Sequence, residues 1–77
     1  MATFGATLRR FRKDRGISQT TLANRAGFDP SYVSRLEHGD RLPSRGTVNN
    51  LAVALACTDA EHDTLLVADQ WGREPRP

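Results

Sequence analysis

The sequence is poor in the residues that staple, span or catalyse. A single cysteine, Cys57, excludes an internal disulfide, and two histidines 24 positions apart with no cysteine pair do not have zinc-site spacing. No stretch approaches the ~18 apolar residues of a membrane span, and Met1 to Leu8 lacks a basic segment followed by an apolar run. These absences lead to the expectation of a cytoplasmic protein with no metal, no cofactor and no membrane partner. There is no nucleophile paired with a base and no phosphate-cradling glycine loop, so no enzymatic activity is expected. Only one Trp, one Tyr and three Phe are present in 77 residues. A chain this short buries about 60% of the surface that it exposes when unfolded, so its apolar side chains must serve one core.

What the sequence does have is arginine, unevenly placed. Ten of its eleven basic residues are arginine, whose planar fork can bind phosphate or a guanine edge bidentately. Residues 1–45 carry nine basic groups against four acidic ones, a balance of +5, whereas residues 46–77 balance at −3, so the overall +2 averages two unlike halves. The basic half has two readings, a surface for an anionic polymer or a solvated face without a partner.

Hydrophobic spacing predicts five helices and no strands. Phe4, Leu8 and Phe11 share one face of a first helix that stops at Gly16. Ser18 is an N-cap for a second helix, Gln19 to Ala26, with Ile17 and Leu22 as its hydrophobic staple and Gly27 closing it. Asp29 then caps a third helix with Pro30 at its first position; Phe28 and Val33 repeat the staple, and Gly39 ends the helix just after His38. Pro43 and Ser44 announce a fourth helix with the stripe Val48, Leu51, Ala52 and Leu55. Thr58 and Glu61 form a capping box for a fifth, containing Leu65, Leu66, Val67 and Ala68, which fades near Trp71. Residues 72–77 hold two prolines and no apolar side chain and are expected to be a disordered tail to a domain spanning 1–71.

Gln19 to His38 has the pattern of a helix-turn-helix. Ala23 is small where two helices must approach, Gly27 takes the turn's left-handed dihedral, and Leu22, Ala26, Val33 and Leu36 anchor both helices to the core. Ser31, Tyr32, Ser34 and Arg35 are left exposed at the end that a recognition helix presents to bases.

With the run L-R-R-F-R-K-D-R-G-I-S-Q-T-T-L-A from Leu8, S-R-L-E-H-G from Ser34, P-S at Pro43 and L-A-V-A-L-A from Leu51, the chain resembles the xenobiotic-response-element or Cro/repressor class of helix-turn-helix proteins. The resemblance covers Leu8 to Ala56 without gaps and implies an all-α, five-helix, lambda-repressor-like DNA-binding domain. It implies a transcriptional regulator that reads double-stranded DNA as a homodimer on a pseudo-palindromic operator. Small stand-alone members of the class include phage repressors, restriction-modification controllers and antitoxins.

The roles that the resemblance implies fall on particular residues. Ser31, Tyr32, Ser34 and Arg35 would face bases, with Arg35 bidentate to guanine. Gln19, Arg41, Arg45 and Arg10 would contact phosphates, while Asp40 departs from the lysine that members commonly show after the glycine. Arg12 and Glu37 would form a structural salt bridge. Leu65, Leu66 and Val67 are consecutive and cannot all face one side of a helix, so Leu66, Val67 and Trp71 are expected at a dimer interface, the other reading being that they pack on their own core. His38 and His62 read as a helix-end residue and a solvent-exposed one, and Cys57 as a small buried filler. A protein-interaction module, such as an antitoxin or adaptor using the fifth helix, is the rival reading.

Overall fold

The structure is a computed structural model and describes residues 3–73, with side chains described up to Ala68. Its elements are α1 (Phe4–Asp14), α2 (Gln19–Ala26), α3 (Pro30–His38), α4 (Arg45–Ala54) and α5 (Asp59–Arg73), and among the described residues there is no strand. The all-α expectation holds in every element, and α2 and α3 have the bounds read from the sequence.

Local chemistry sets the starts. Thr3, Ser18, Asp29 and Ser44 are the N-caps of α1 to α4, each in extended backbone, with side chains accepting from the N–H groups of Ala6, Thr21, Ser31 and Thr47. Each such bond satisfies a donor that the first helical turn leaves without a partner. The capping box of α5 is reciprocal: Glu61 N–H donates to Thr58 Oγ1 at 3.2 Å, and Thr58 N–H donates to Glu61 Oε1 at 3.0 Å. α5 runs to Arg73, past the point where it was expected to fade, because Gly72 weakens a helix by about 1 kcal/mol without ending it. The remainder of the expected disordered tail, residues 74–77, lies outside the described residues.

The five helices close on one core. Leu8, Leu22, Ala23, Val33, Val48, Leu51 and Leu65 are completely buried, and Phe4, Phe11, Leu36, Ala52, Leu55 and Ala68 nearly so. α1 packs on α3 and α5, α2 on α3 and α4, and α4 on α5. The α1–α3 crossing is close enough to require glycine. A β-carbon on Gly5 would stand 2.5 Å from the carbonyl oxygens of both Leu36 and Glu37.

Candidate nucleic-acid interface

The α2–α3 corner is built by two strong local instructions. Gly27 takes the left-handed conformation, φ 79°, and turns its N–H back to the Ala23 carbonyl. Two residues later the Asp29 carboxylate accepts from the Ser31 N–H at 2.8 Å and from the Ser31 hydroxyl at 2.7 Å. The chain therefore leaves one helix and enters the next within three residues. The Ser31 hydroxyl and N–H hold the Asp29 carboxyl below its usual range.

The far end of α3 is fixed from inside. Arg12 of α1 donates through Nε to Glu37 Oε2 at 2.6 Å and through Nη2 to Glu37 Oε1 at 3.0 Å, and its Nη1 reaches the Ile17 carbonyl at 3.0 Å. Gln19 Nε2 adds a bond to Glu37 Oε1 at 3.0 Å. The hydrogen bond to Glu37 raises the Arg12 guanidinium above its usual value. The expected Arg12–Glu37 bridge is thus present and joins α1, the start of α2 and the last turn of α3. Gln19, expected as a phosphate contact, has one amide N–H engaged in this bridge and one left.

On the outer face of α3 the candidates divide by what they already hold. Arg35 is exposed and has no ion pair or hydrogen bond from its side chain among the described residues. Ser31 is exposed, but its hydroxyl proton belongs to Asp29, which leaves its oxygen lone pairs for a ligand donor. Ser34 is half-buried, and its carbonyl accepts from His38 Nδ1 at 2.8 Å. At about 100° per residue, Arg35 lies about 40° and His38 about 20° around the helix from Ser31. His38, the last residue of α3 as expected, therefore also shares the outward stripe. Tyr32 stands about 100° from Ser31, on the flank that meets α4. Its ring meets Phe28 edge to face at 5.2 Å between centroids, and its hydroxyl lies 3.4 Å from Thr47 Oγ1.

Around this face the other arginines are of two kinds. Arg41 and Arg45 are exposed, the first with its guanidinium 5.6 Å from the centre of the Tyr32 ring, the second opening α4. Arg10 is exposed on α1 with its guanidinium 5.4 Å from the Phe11 ring centre. Arg15, by contrast, is internal to the fold: Nε donates to the Leu55 carbonyl at 2.6 Å, Nη1 to the Phe11 carbonyl at 3.1 Å and Nη2 to Glu61 at 2.8 Å. Arg12 and Arg15 must be subtracted from the basic half before it is read as a ligand surface.

A family profile described as a helix-turn-helix domain matches residues 3–65. The chain belongs to this helix-turn-helix family. It is similar to the uncharacterised HTH-type transcriptional regulator y4dJ of Sinorhizobium fredii, 37% identical over 57 residues that make up 74% of each chain. It is also similar to the HTH-type transcriptional repressor RghR of Bacillus subtilis, 38% identical over 71% of this chain and 42% of that protein. Among solved structures, the restriction-modification controller protein C.AhdI from Aeromonas hydrophila is 42% identical with a TM-score of 0.72, over 77% of this chain and 89% of that one. The clp gene regulator ClgR from C. glutamicum gives 27% identity and a TM-score of 0.75, over 95% and 91%.

Beyond the helix-turn-helix corner lie the residues that the sequence assigned to a dimer contact. Val67 is half exposed, at 49%, and Leu66 is partly buried against the core of the helix-turn-helix domain. The Trp71 side chain lies outside the described residues. Among the described large apolar residues the most open is Val53 on α4, at 81%, which sequence reading did not single out because it falls off the buried stripe. His62 is half-buried and pairs through Nε2 with Asn49 Oδ1 at 2.7 Å, joining α4 to α5 where a solvated residue was expected. Cys57 is half-buried rather than buried, and desolvation pushes its thiol above the usual range. No described helix is long and apolar enough to cross a membrane, and no three described His, Cys, Asp or Glu residues cluster as a metal site requires.

Proposed function

We propose that the chain, a helix-turn-helix DNA-binding regulator, binds a pseudo-palindromic operator as a homodimer with α3 in the major groove. One observation carries this: Arg35 projects from the outward stripe of a helix whose two ends are fixed by Asp29 and by Glu37, and it has no protein partner among the described residues. An unpaired guanidinium on a helix fixed at both ends is suited to the O6 and N7 of guanine. Ser31 and Ser34 accompany it at base edges, and Arg41, Arg45, Arg10 and the remaining N–H of Gln19 neutralise phosphates.

Leu66, Val67 and Trp71 of α5 form the symmetric contact, which sets two recognition helices about 34 Å apart, one turn of DNA. The reading places the protein in the cytoplasm as a regulator without catalysis. The named activities of its relatives, a controller, a repressor and a gene regulator, support a role in transcription.

The test is electrophoretic shift over a salt series, with operators selected from a random duplex library. The expected result is a steep loss of affinity with salt and selected sites that are two-fold symmetric. Arg35→Ala should cost about 1 to 3 kcal/mol on the selected site and relax preference at one base pair, whereas Arg45→Ala should weaken all sequences alike. Absence of duplex binding at about 50 mM salt would overturn the reading.

A further inference from the structure

Tyr32 was grouped with the base readers, but its surroundings fit a different task. Its ring is held on one side by Phe28, at 5.2 Å and 70°. Its hydroxyl lies beside Thr47 Oγ1, which itself accepts from the hydroxyl of Ser44, the N-cap of α4, at 3.1 Å. The remaining face of the ring carries the Arg41 guanidinium at 5.6 Å. Tyr32 is half-buried and sits on the flank of α3, about 100° from Ser31, whereas the outward stripe runs through Ser31, Arg35 and His38.

We propose that Tyr32 is a positioning residue: its ring is a shelf that holds the Arg41 guanidinium at a fixed place beside the recognition helix, ready for a DNA phosphate. The proposal rests on the DNA-binding reading for its consequence, though not for its geometry. Arg41 lies outside the helices, in the segment between α3 and α4, and an arginine there has many rotamers to lose on binding. A cation over an aromatic face is held by the ring quadrupole. Here the ring is fixed by Phe28 and by the Thr47–Ser44 pair, so the guanidinium inherits the orientation of α3 and the start of α4 together. The phosphate contact and the base contacts of Arg35 are then set by one rigid unit. Register along the backbone and register in the groove cannot drift apart.

Two measurements test this. In the free protein, the side-chain protons of Arg41 should show upfield ring-current shifts in the NMR spectrum. These should persist in Tyr32→Phe and vanish in Tyr32→Leu, which retains bulk but has no aromatic face. On DNA, Tyr32→Leu should weaken random and selected duplexes by the same factor, about two- to five-fold, the loss of one exposed cation–π contact. Combined with Arg41→Ala it should add nothing, because the shelf has no function without its guanidinium.

Unshifted Arg41 protons in the wild type would overturn the proposal without reference to DNA. So would a Tyr32→Leu variant that changes preference at one base pair, or whose effect adds in full to that of Arg41→Ala. If the wild type bound no duplex, the DNA-binding reading would fail, while the free-protein shifts would still decide whether Tyr32 places Arg41.

Discussion

Arg12 and Glu37, 25 residues apart in sequence, meet as a two-pronged pair with the Glu37 side chain only 3% exposed. Such a pair stabilises little relative to well-packed apolar residues, but removing one partner strands the other charge. Arg12→Ala or Glu37→Ala should each cost about 3 kcal/mol, read as a lower denaturant midpoint at unchanged slope. The double change Arg12→Met with Glu37→Leu should recover most of the loss. Equal and additive losses from the two single changes would show that the carboxylate is not isolated when its arginine is removed.

Gly5→Ala should be among the most damaging conservative changes in the chain. Its new β-carbon would meet two backbone oxygens at 2.5 Å, and backbone cannot turn away as a side chain can. Parting α1 from α3 should cost at least about 1 to 3 kcal/mol, a fall of several degrees in thermal midpoint for a domain this small. A midpoint within one degree of wild type would mean that the two helices slide at little cost.

Ala56→Gly should act in the opposite direction. Ala56 has φ 55° just after α4, a conformation that costs an L-residue about 1 to 2 kcal/mol and glycine almost nothing. Glycine loses more chain entropy on folding, so the net gain should be about 0.5 to 1 kcal/mol. Unfolding midpoints of the two proteins compared side by side provide the check.

Two carboxylates should give a stability loss in acid. Thr58 N–H and the Arg15 guanidinium hold Glu61 below its usual range, and Ser31 does the same for Asp29. A carboxyl lowered by folding stabilises at all pH values above its ordinary range, and the contribution disappears as pH falls through the lowered value. Denaturant titrations from about pH 5 to pH 2 should therefore show stability falling below about pH 4, with a shallower fall in Glu61→Gln and Asp29→Asn. Identical slopes in variant and wild type would remove these two groups from the acid response.

The helices were legible because their signals are local. Ser18, Asp29, Ser44 and the Thr58–Glu61 box each act within three residues of themselves, so a reader of the chain sees both partners at once. The salt bridge was legible only through the family resemblance, since nothing near Arg12 announces Glu37. Arg15 was counted with the DNA-facing charge because it carries the same local signature as Arg9 or Arg10, although its partners lie 40 and 46 residues away. Tyr32 fell on the exposed list for a related reason: helical spacing gives a face, but not which neighbouring helix covers its edge. Ala56 gave no sign at all. Glycine marked the left-handed turns at Gly27 and Gly39, and an alanine in the same conformation reads as ordinary helix.

The link from Arg15 to the Leu55 carbonyl and to Glu61 ties the first helix to the start of the last. During synthesis α1, α2 and α3 leave the ribosome well before the residues that α1 must lean on. Leu65 and Ala68, which complete the core, emerge later still. A nascent chain that has released only α1 to α3 therefore lacks the contacts that complete its core until α5 arrives. A product truncated before α5 should therefore fold less stably than one that carries it, because Leu65, Ala68 and the Glu61 partner of Arg15 would all be missing.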